Sequence, residues 1–341
     1  MTPNRDVREF SERIRTFERP NCPACGRVGK ELYSTLIDAC FDAPGEWCYS
    51  KCEAGDCGAL WLNPAPVAED LLYAYRNYHT HGGSREHTEG LIKNIYSQFV
   101  RTLFFITGVQ SERKRGEWMS LDALPPGSLL DVGCGRGEFL ARMASFGWKA
   151  TGVDFDPEAA DEARRANGVD VRIGGIECID PTTCEFDAIT SNHSIEHVHD
   201  PLEFLKACRR LLSAGGRLVI RTPNADSFGH QRYQSAWRGL EPPRHLCILT
   251  IPAIRTLAKR AGLTVIECST SPAMAEGILL ASRFIKKYGR VDSAPKGVRG
   301  VLSKLVGPVL AIYAHLEWRR NDSTGEELYV VLGRDEIAAE G

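Results

Sequence analysis

Short apolar runs alternate with amphipathic segments through the second half of the chain. The runs have the length and the branched side chains typical of strands, and they lie at 129–132, 149–153, 170–173, 186–191, 217–221, 263–268 and 327–332. Segments with helical spacing separate them, two of which begin at the Asp-Pro pairs 156–157 and 200–201. Strands that alternate with helices predict an α/β fold: a doubly wound, mostly parallel, seven-stranded sheet with ligands at the carboxyl ends of its strands.

Three regions are predicted along the chain. Residues 1–66 form a small cysteine-containing module, residues 67–124 a helical lid or connector, and residues 125–341 the α/β domain. The run Pro125-Pro126-Gly127 marks the last boundary because proline and glycine break helices and favour turns. Residues 271–325 are predicted to be a helical insertion in the α/β domain.

A glycine-rich turn follows the first strand of the α/β domain. Gly133, Gly135 and Gly137 alternate directly before a helical segment, so backbone N–H groups and a helix N-terminus face any ligand there. Asp131 precedes the turn, and Asp154 ends the next strand, 23 residues after Asp131. An acidic side chain in that place can accept hydrogen bonds from two ribose hydroxyls. The spacing departs from the dinucleotide fingerprint. The neighbouring carboxylates of Asp131 and Glu138 favour a cationic ligand over a pyrophosphate.

These residues make the chain resemble the class I S-adenosylmethionine-dependent methyltransferases. Their signature is an acidic residue, Gly-x-Gly-x-Gly and an acidic residue that ends the second strand. The resemblance implies a Rossmann-like methyltransferase fold whose last strand pair is antiparallel, and S-adenosylmethionine as the cofactor. The cofactor-binding residues that it implies are Asp131, Gly133, Cys134, Gly135, Gly137, Asp154, Phe155 and Asn192.

Charge and cysteine content narrow the class of protein. The 341 residues carry a formal net charge of −2 and 12 cysteines. A chain without a net positive charge or a dense basic stripe gives no reason to expect a nucleic-acid partner. The first 20 residues lack the apolar core of a signal peptide. Twelve cysteines suggest a reducing compartment. We therefore expect a cytoplasmic protein.

Four cysteines near the amino terminus have the spacing of a zinc ribbon. Cys22 and Cys25 form one close pair and Cys52 and Cys57 another, with 26 residues between the pairs. Each pair is followed by glycine, which lets backbone N–H groups turn toward the sulfurs. Cys48 competes with Cys52 as a ligand, and a set of unconnected free thiols is the alternative to structural zinc.

This cysteine segment resembles that of a bacterial methyltransferase subgroup, many of whose members act on sugars of surface polysaccharides or secondary metabolites. In that subgroup a Tyr/His-rich stretch covers the active site. The corresponding residues here are Tyr73, Tyr75, Tyr78, His79 and His81. Tyr78 and His79 are the predicted substrate contacts, while the alternative is that these aromatic residues only dock a helix on the main domain.

Two further segments carry candidate catalytic residues. Glu196 and His197 follow the fourth strand of the α/β domain, where they can supply a general base, an orienting group or only packing. Arg244 and His245 follow the fifth strand in a proline-rich loop that we expect to be extended and exposed. Arg244 is predicted to bind a phosphate or carboxylate, and His245 to take a proton from a hydroxyl.

These features favour methyl transfer to oxygen or carbon of a small, sugar-like molecule. One alternative is an RNA methyltransferase that docks through the zinc module, and another is a non-catalytic binding protein with the cofactor fold. The stretch 298–318 is apolar-rich, but Lys304, Gly307 and Pro308 interrupt it too often for a membrane span. A helical cap or homodimer face is expected there, with peripheral membrane contact as the alternative.

Overall fold

The amino-terminal part forms small antiparallel sheets. The computed structural model describes residues 14–76, 98, 100–102, 104–182, 184–292 and 306–334. The strands of this part are β1 (Thr16–Phe17), β2 (Lys30–Leu36), β3 (Trp47–Lys51), β4 (Leu60–Leu62) and β5 (Ala65–Pro66). Strands β1 and β5 pair with each other, and β2, β3 and β4 form an antiparallel meander. Strands β2 and β3 therefore lie between the two cysteine pairs in the chain.

The main sheet has the seven strands predicted from the apolar runs. The remaining strands of the chain are β6 (Ser128–Val132), β7 (Lys149–Asp154), β8 (Asp170–Ile173), β9 (Phe186–Asn192), β10 (Leu212–Pro223), β11 (Cys247–Ile248), β12 (Thr264–Ser271) and β13 (Glu327–Gly333). The order across the main sheet is β12-β13-β10-β9-β6-β7-β8. Strand β13 is antiparallel to both neighbours, and the other pairs are parallel. The predicted Rossmann-like methyltransferase fold is thus confirmed.

Strand β10 is longer than its apolar pattern predicts. It begins at Leu212 and passes through Gly215 and Gly216 with an irregular register before its regular pairing from Arg217. A Cβ on Gly216 would lie only 3.0 Å from the Phe186 carbonyl oxygen, so glycine lets this bend approach β9. The two glycines therefore bend the strand without ending it.

Helices cover both faces of the main sheet. They are α1 (Val109–Trp118), α2 (Glu138–Ser145), α3 (Pro157–Asn167), α4 (Pro201–Leu211), α5 (Phe228–Tyr233), α6 (Ile251–Ala261), α7 (Ala275–Tyr288) and α8 (Val306–Arg320). Short 3₁₀ turns lie at Ala68–Tyr75, Ile176–Cys178, Ile195–His197, Gln234–Ala236 and Asp322–Thr324. The side chains of Asp156, Asp200 and Thr250 accept backbone N–H bonds at the starts of α3, α4 and α6. Local capping chemistry therefore explains why these helices begin where they do.

The amino-terminal sheets are joined to the α/β part. Strand β11, which lies between α5 and α6 in the chain, pairs antiparallel with β4 and extends the meander to four strands. Cys57 packs in the same core cluster as Ala253 and Leu257 of α6. Arg260 of α6 also donates to the Ala24 carbonyl at 2.5 Å. The division of the chain at residues 66 and 124 stays a prediction.

The region predicted as a helical insertion contains α7 and α8, which pack against each other. Glu276 of α7 binds Arg113 of α1 at 2.7 Å, which connects the insertion to the segment before the main sheet. Val309 and Leu316 of α8 are exposed. No helix within the described ranges is long and apolar enough to cross a membrane. Residues 298–305 lie outside those ranges, and the dimer or membrane role stays a prediction.

Candidate active site

The glycine turn connects β6 to α2 at the carboxyl edge of the sheet. Gly133, Gly135 and Gly137 all have positive φ, at 77°, 53° and 73°. A Cβ on Gly137 would lie 2.8 Å from the Val169 side chain, so this position needs glycine for close packing as well as for its backbone angle. A Cβ on Gly135 would meet no heavy atom within 4 Å. The backbone at Gly135 therefore faces open space.

Two carboxylates lie beside this turn. Asp154 accepts from the Gly135 N–H at 2.7 Å and from the Asp156 N–H at 2.9 Å. Asp131 accepts from the Thr190 hydroxyl at 2.7 Å. Burial raises the pKa of Asp131 to about 7, and the charge of Asp154 adds to this shift. Burial likewise raises the pKa of Asp154. A ligand with positive charge would stabilise both carboxylates.

The other predicted cofactor residues lie in the glycine turn or at the ends of β7 and β9. Phe155 is 65% exposed and follows Asp154, and Asn192 is exposed at the end of β9. Cys134 is buried, and a Cβ on Gly152 would lie 2.5 Å from its sulfur, so its side chain packs inward. An aromatic face, paired carboxylates and a glycine turn that leaves space for a ligand match the adenosine and the charged end of S-adenosylmethionine. The residues present therefore fit this cofactor.

Ionisation of Asp131 gives a testable pH dependence. The folded-state pKa of about 7 lies above the ordinary 3.8, so the folded protein binds this proton more tightly and loses stability as pH rises toward 7. The Asp131→Asn variant has no such loss. The free energy of unfolding of the variant minus that of the parent should therefore increase by about 2–3 kcal/mol from about pH 5 to pH 8. Urea unfolding at both pH values measures the difference. Asp161→Asn, at an exposed position, is the control, and equal pH slopes for Asp131→Asn and the parent would contradict the assignment.

An ionic network with buried carboxylates and a half-buried His193 connects the ends of β9, β10 and β13. His193 Nδ1 is 3.1 Å from Glu196 Oε1, and His193 Nε2 is 2.6 Å from Glu327 Oε1. Arg221 binds both oxygens of Glu327, and the Thr222 hydroxyl donates to Glu196 at 2.9 Å. Burial alone would lower the pKa of His193, but the two carboxylates raise it to about 10. The same pairing overcomes burial and lowers the pKa of Glu196 to about 2, so Glu196 is an anion held by fixed donors.

His197 and His245 face each other beside this network. Their ring centroids are 4.9 Å apart. Nδ1 of His197 lies 2.9 Å from the Arg244 carbonyl and 3.0 Å from the Tyr75 hydroxyl, and Nδ1 of His245 lies 2.8 Å from the Gly239 carbonyl. A carbonyl only accepts, so Nδ1 carries a proton in both rings, and the lone pair of a neutral ring is then on Nε2. Burial lowers the pKa of His245 to about 4, which keeps this imidazole neutral at pH 7.

The loop that carries Arg244 differs from its prediction. It is a buried turn, and Arg244 is 0% exposed. Its guanidinium binds Asp38 at 2.8 Å, Glu241 at 2.9 Å and the Ala74 carbonyl at 2.8 Å. The expectation of an extended, exposed loop is wrong, because these buried acceptors draw the arginine inward. Contact between Arg244 and a substrate stays a prediction, but it would require these ion pairs to open.

The four predicted zinc ligands come together at the amino-terminal module. Sγ of Cys22 is 3.6 Å from that of Cys57, and Sγ of Cys25 is 3.5 Å from that of Cys52. All four sulfurs lie within 4.8 Å of one another, and Cys48 is not in the group. Tetrahedral zinc about 2.3 Å from each sulfur would hold the sulfurs about 3.8 Å apart. The cluster therefore fits a zinc ion with four thiolate ligands.

Some functional neighbours were missed and some predicted residues are not described. Tyr78 and His79 lie outside the described residues. Tyr75 of the same stretch contacts His197, as noted above, which brings the amino-terminal part to the candidate site. The sequence analysis does not identify Glu327 as a site residue. The sequence signal for it is the pair Glu326-Glu327 directly before an apolar strand, and both residues are buried. Asp38 has no such signal, since it lies 206 residues from its partner Arg244.

Comparison with known proteins agrees with the glycine-turn assignment. Residues 111–268 match a family model described as a methyltransferase domain, and this stretch runs from α1 to β12. The match confirms the resemblance to class I S-adenosylmethionine-dependent methyltransferases that Asp131, the glycines and Asp154 indicate. It covers less than half of the chain and does not reach the four cysteines.

Individual proteins are similar to this chain either over a shorter stretch than the family model or at less than 20% identity. A ubiquinone biosynthesis O-methyltransferase of Xanthomonas campestris pv. campestris (strain B100) is 39% identical over 108 residues, 30% of this chain and 45% of that protein. The chain thus spans about half the length of the curated relatives it matches. Phosphoethanolamine N-methyltransferase 2 of Haemonchus contortus, solved with S-adenosyl-L-methionine, is 19% identical with a TM-score of 0.43, over 65% of this chain and 52% of that one. The plantazolicin methyltransferase BpumL, solved with S-adenosylhomocysteine, is 18% identical with a TM-score of 0.41, over 71% and 90% of the two chains.

Proposed function

We propose that this chain is an S-adenosylmethionine-dependent methyltransferase that acts on oxygen or carbon of a small, sugar-like molecule. The observation that carries the proposal is the glycine turn with an open space at Gly135, flanked by the carboxylates of Asp131 and Asp154. The family match over residues 111–268 supports the same activity. The sugar-like acceptor rests on the four-cysteine segment and its resemblance to a subgroup that acts on sugars.

Each cofactor residue has a separate task in this proposal. Asp154 would bind the ribose hydroxyls, the exposed Phe155 would pack on the adenine, and the turn from Gly133 to Gly137 would bind the amino-acid end. Bound S-adenosylmethionine supplies an already activated methyl group. The protein then has to position the acceptor atom, exclude water and remove a proton from a hydroxyl or a carbon acid.

His245 and His197 are the proposed proton acceptors. Both carry a lone pair on Nε2, and His245 is neutral at pH 7 because burial lowers its pKa to about 4. Such an imidazole is a weak base, but Glu241 Oε2 lies 3.7 Å from its Nε2 and would stabilise the imidazolium once it forms. Glu196 would orient this pair of rings. The O-methyltransferase name of the Xanthomonas relative favours oxygen over nitrogen as the acceptor.

A structural zinc ion on Cys22, Cys25, Cys52 and Cys57 is part of the proposal. The sulfur separations support it, and four thiolates leave no open position, so this ion would stabilise the fold and take no part in catalysis. An RNA acceptor has less support, because a net charge of −2 supplies no excess of cations for phosphate contacts.

Calorimetric titration with S-adenosylhomocysteine tests the cofactor site. The parent should bind one equivalent, and Asp154→Asn should bind at least tenfold more weakly, about 1.4 kcal/mol for a lost charged contact to ribose. Asp161→Asn, an exposed aspartate of α3, should bind like the parent. Circular dichroism of each variant separates a local effect from unfolding. Absence of binding by folded, zinc-loaded parent protein would instead indicate a binding module that has kept the fold.

Release of S-adenosylhomocysteine from a panel of acceptors tests the substrate class. The panel contains nucleotide sugars, simple phenols and a short RNA, each incubated with S-adenosylmethionine. Turnover confined to the sugars is the expected result. Turnover of phenols alone would keep the methyltransferase and reject the sugar, and salt-dependent turnover of RNA would favour the docking role of the zinc module.

A further inference from the structure

Glu196, His197 and His245 converge at the carboxyl edge of the main sheet. Each offers one ligand atom, and the three atoms lie within 4.8 Å of one another. Two of the residues come from the 3₁₀ turn Ile195–His197 after β9, and the third comes from the loop before β11. The backbone N–H of Leu246 donates to the Glu196 carbonyl at 2.7 Å, which fixes these two segments side by side. The convergence therefore has a rigid backbone frame.

Both imidazoles are oriented as metal ligands usually are. Each donates Nδ1–H to a backbone carbonyl, of Arg244 for His197 and of Gly239 for His245. This bond fixes the tautomer and leaves a lone pair on Nε2, and it is the common outer-shell arrangement of metal-binding histidines. Because the two carbonyls belong to the same buried loop, the orientation of one ring is tied to that of the other.

The carboxylate is oriented in the same way. One oxygen of Glu196 lies 3.1 Å from His193 Nδ1, and the other accepts from the Thr222 hydroxyl at 2.9 Å. Each oxygen retains a second acceptor position after these bonds. Glu196 is fully buried and His245 is 6% exposed. Two imidazole nitrogens and one carboxylate oxygen that lie within 4.8 Å of one another are a donor set that a divalent cation would stabilise.

We propose that Glu196, His197 and His245 bind one divalent transition-metal ion, separate from the ion of the four-cysteine cluster. Two imidazoles and one carboxylate suit zinc, cobalt, iron and manganese, and a set of only three protein ligands leaves a coordination position open. Open positions are typical of catalytic rather than structural metal sites. The four sulfurs of the other cluster, in contrast, fill a tetrahedral site.

The open position would take an oxygen of the substrate. The site lies at the end of β9, on the edge where Asn192 and the glycine turn face the proposed cofactor space. A hydroxyl bound to a divalent cation has a lowered pKa, so it would lose its proton to solvent or a nearby carboxylate more readily. This last step rests on the proposed methyl transfer, whereas metal binding itself rests only on the three side chains. The ion would then take over the role assigned above to an imidazole base.

Cobalt titration of the zinc-loaded full-length protein tests the site. With one equivalent of zinc retained by the cysteines, Co²⁺ should bind as one further ion per chain, measured by equilibrium dialysis with elemental analysis. His197→Gln and His245→Gln should weaken this binding at least about 100-fold. His199→Gln is the matched control, because His199 bonds the Pro66 carbonyl and lies outside the cluster. Cobalt binding by this control should equal that of the parent.

A second measurement on the parent protein covers the case in which a variant does not fold. Bound paramagnetic Co²⁺ should broaden the imidazole NMR signals of His197 and His245 much more than that of His199, and its absorption should lack thiolate charge-transfer bands. The proposal is overturned if no second ion binds, if thiolate bands appear, or if all three histidine variants bind equally. Binding of S-adenosylhomocysteine, measured separately, reports on the cofactor site, so failure of one proposal does not imply failure of the other.

Discussion

Replacing Cys57 with Ser should destabilise the whole described fold and not only the amino-terminal module. Cys57 is 1% exposed, its sulfur is 3.6 Å from that of Cys22, and it packs in the same core cluster as Ala253 and Leu257 of α6. Its carbonyl also accepts from the hydroxyl of Thr250, the residue that caps α6. Loss of a bound metal is one of the few single changes that cost more than about 4 kcal/mol.

Thermal unfolding followed by circular dichroism measures this effect. Cys57→Ser should lower Tm by about 5 °C or more, and a zinc chelator added to the parent should produce a similar shift. Cys48→Ser is the matched control, because Cys48 lies in the same module but outside the sulfur cluster. Its Tm should stay within about 2 °C of the parent's.

Retention of the main transition would contradict this prediction. If Cys57→Ser lost only a minor early transition and still bound S-adenosylhomocysteine normally, the module would be an independent appendage. The pairing of β11 with β4 argues for the coupled outcome, because unfolding the meander would expose β11 and the loop that carries His245.

The elements that sequence predicts well are those determined by their own residues. Asp156 and Pro157 begin α3 and Gly168 ends it with φ of 64°, all through contacts within a few residues. The glycine turn is similar, since its conformation requires Gly at each positive-φ position. The parallel order of the sheet then follows from the alternation of strands and helices.

Long-range pairings account for what the sequence does not reveal. Arg244 lies in a proline-rich loop, which locally favours exposure, but Asp38 from the amino-terminal part binds it inside the protein. The two-residue strand β11 lies in the short apolar run 246–249, but nothing in that run indicates that its partner is β4, far away in the chain. The contact of Tyr75 with His197 has the same character. Each depends on how the amino-terminal part docks, and no local pattern encodes that.

Arg244→Met should lower the free energy of unfolding by about 3–5 kcal/mol at neutral pH, because it leaves buried carboxylates without their cation. Burial alone would raise the pKa values of Asp38 and Glu241, and arginine pairing brings both below their ordinary values. Glu241 keeps Arg238 as a partner in this variant, so Asp38 bears most of the loss. A second variant, Arg320→Met, removes an exposed pair with Glu317 and should cost less than about 0.5 kcal/mol.

The pH dependence of the same variant gives the sharper test. A carboxylate with a depressed folded-state pKa contributes stability above its ordinary pKa and loses it as pH falls, so the parent weakens in acid. Without Arg244 the pKa of Asp38 rises, protonation then relieves the buried charge, and the stability gap to the parent should narrow between about pH 7 and pH 4.5. Urea unfolding at both pH values measures the gap. A variant as stable as the parent at every pH, with only turnover lost, would instead assign Arg244 to substrate binding.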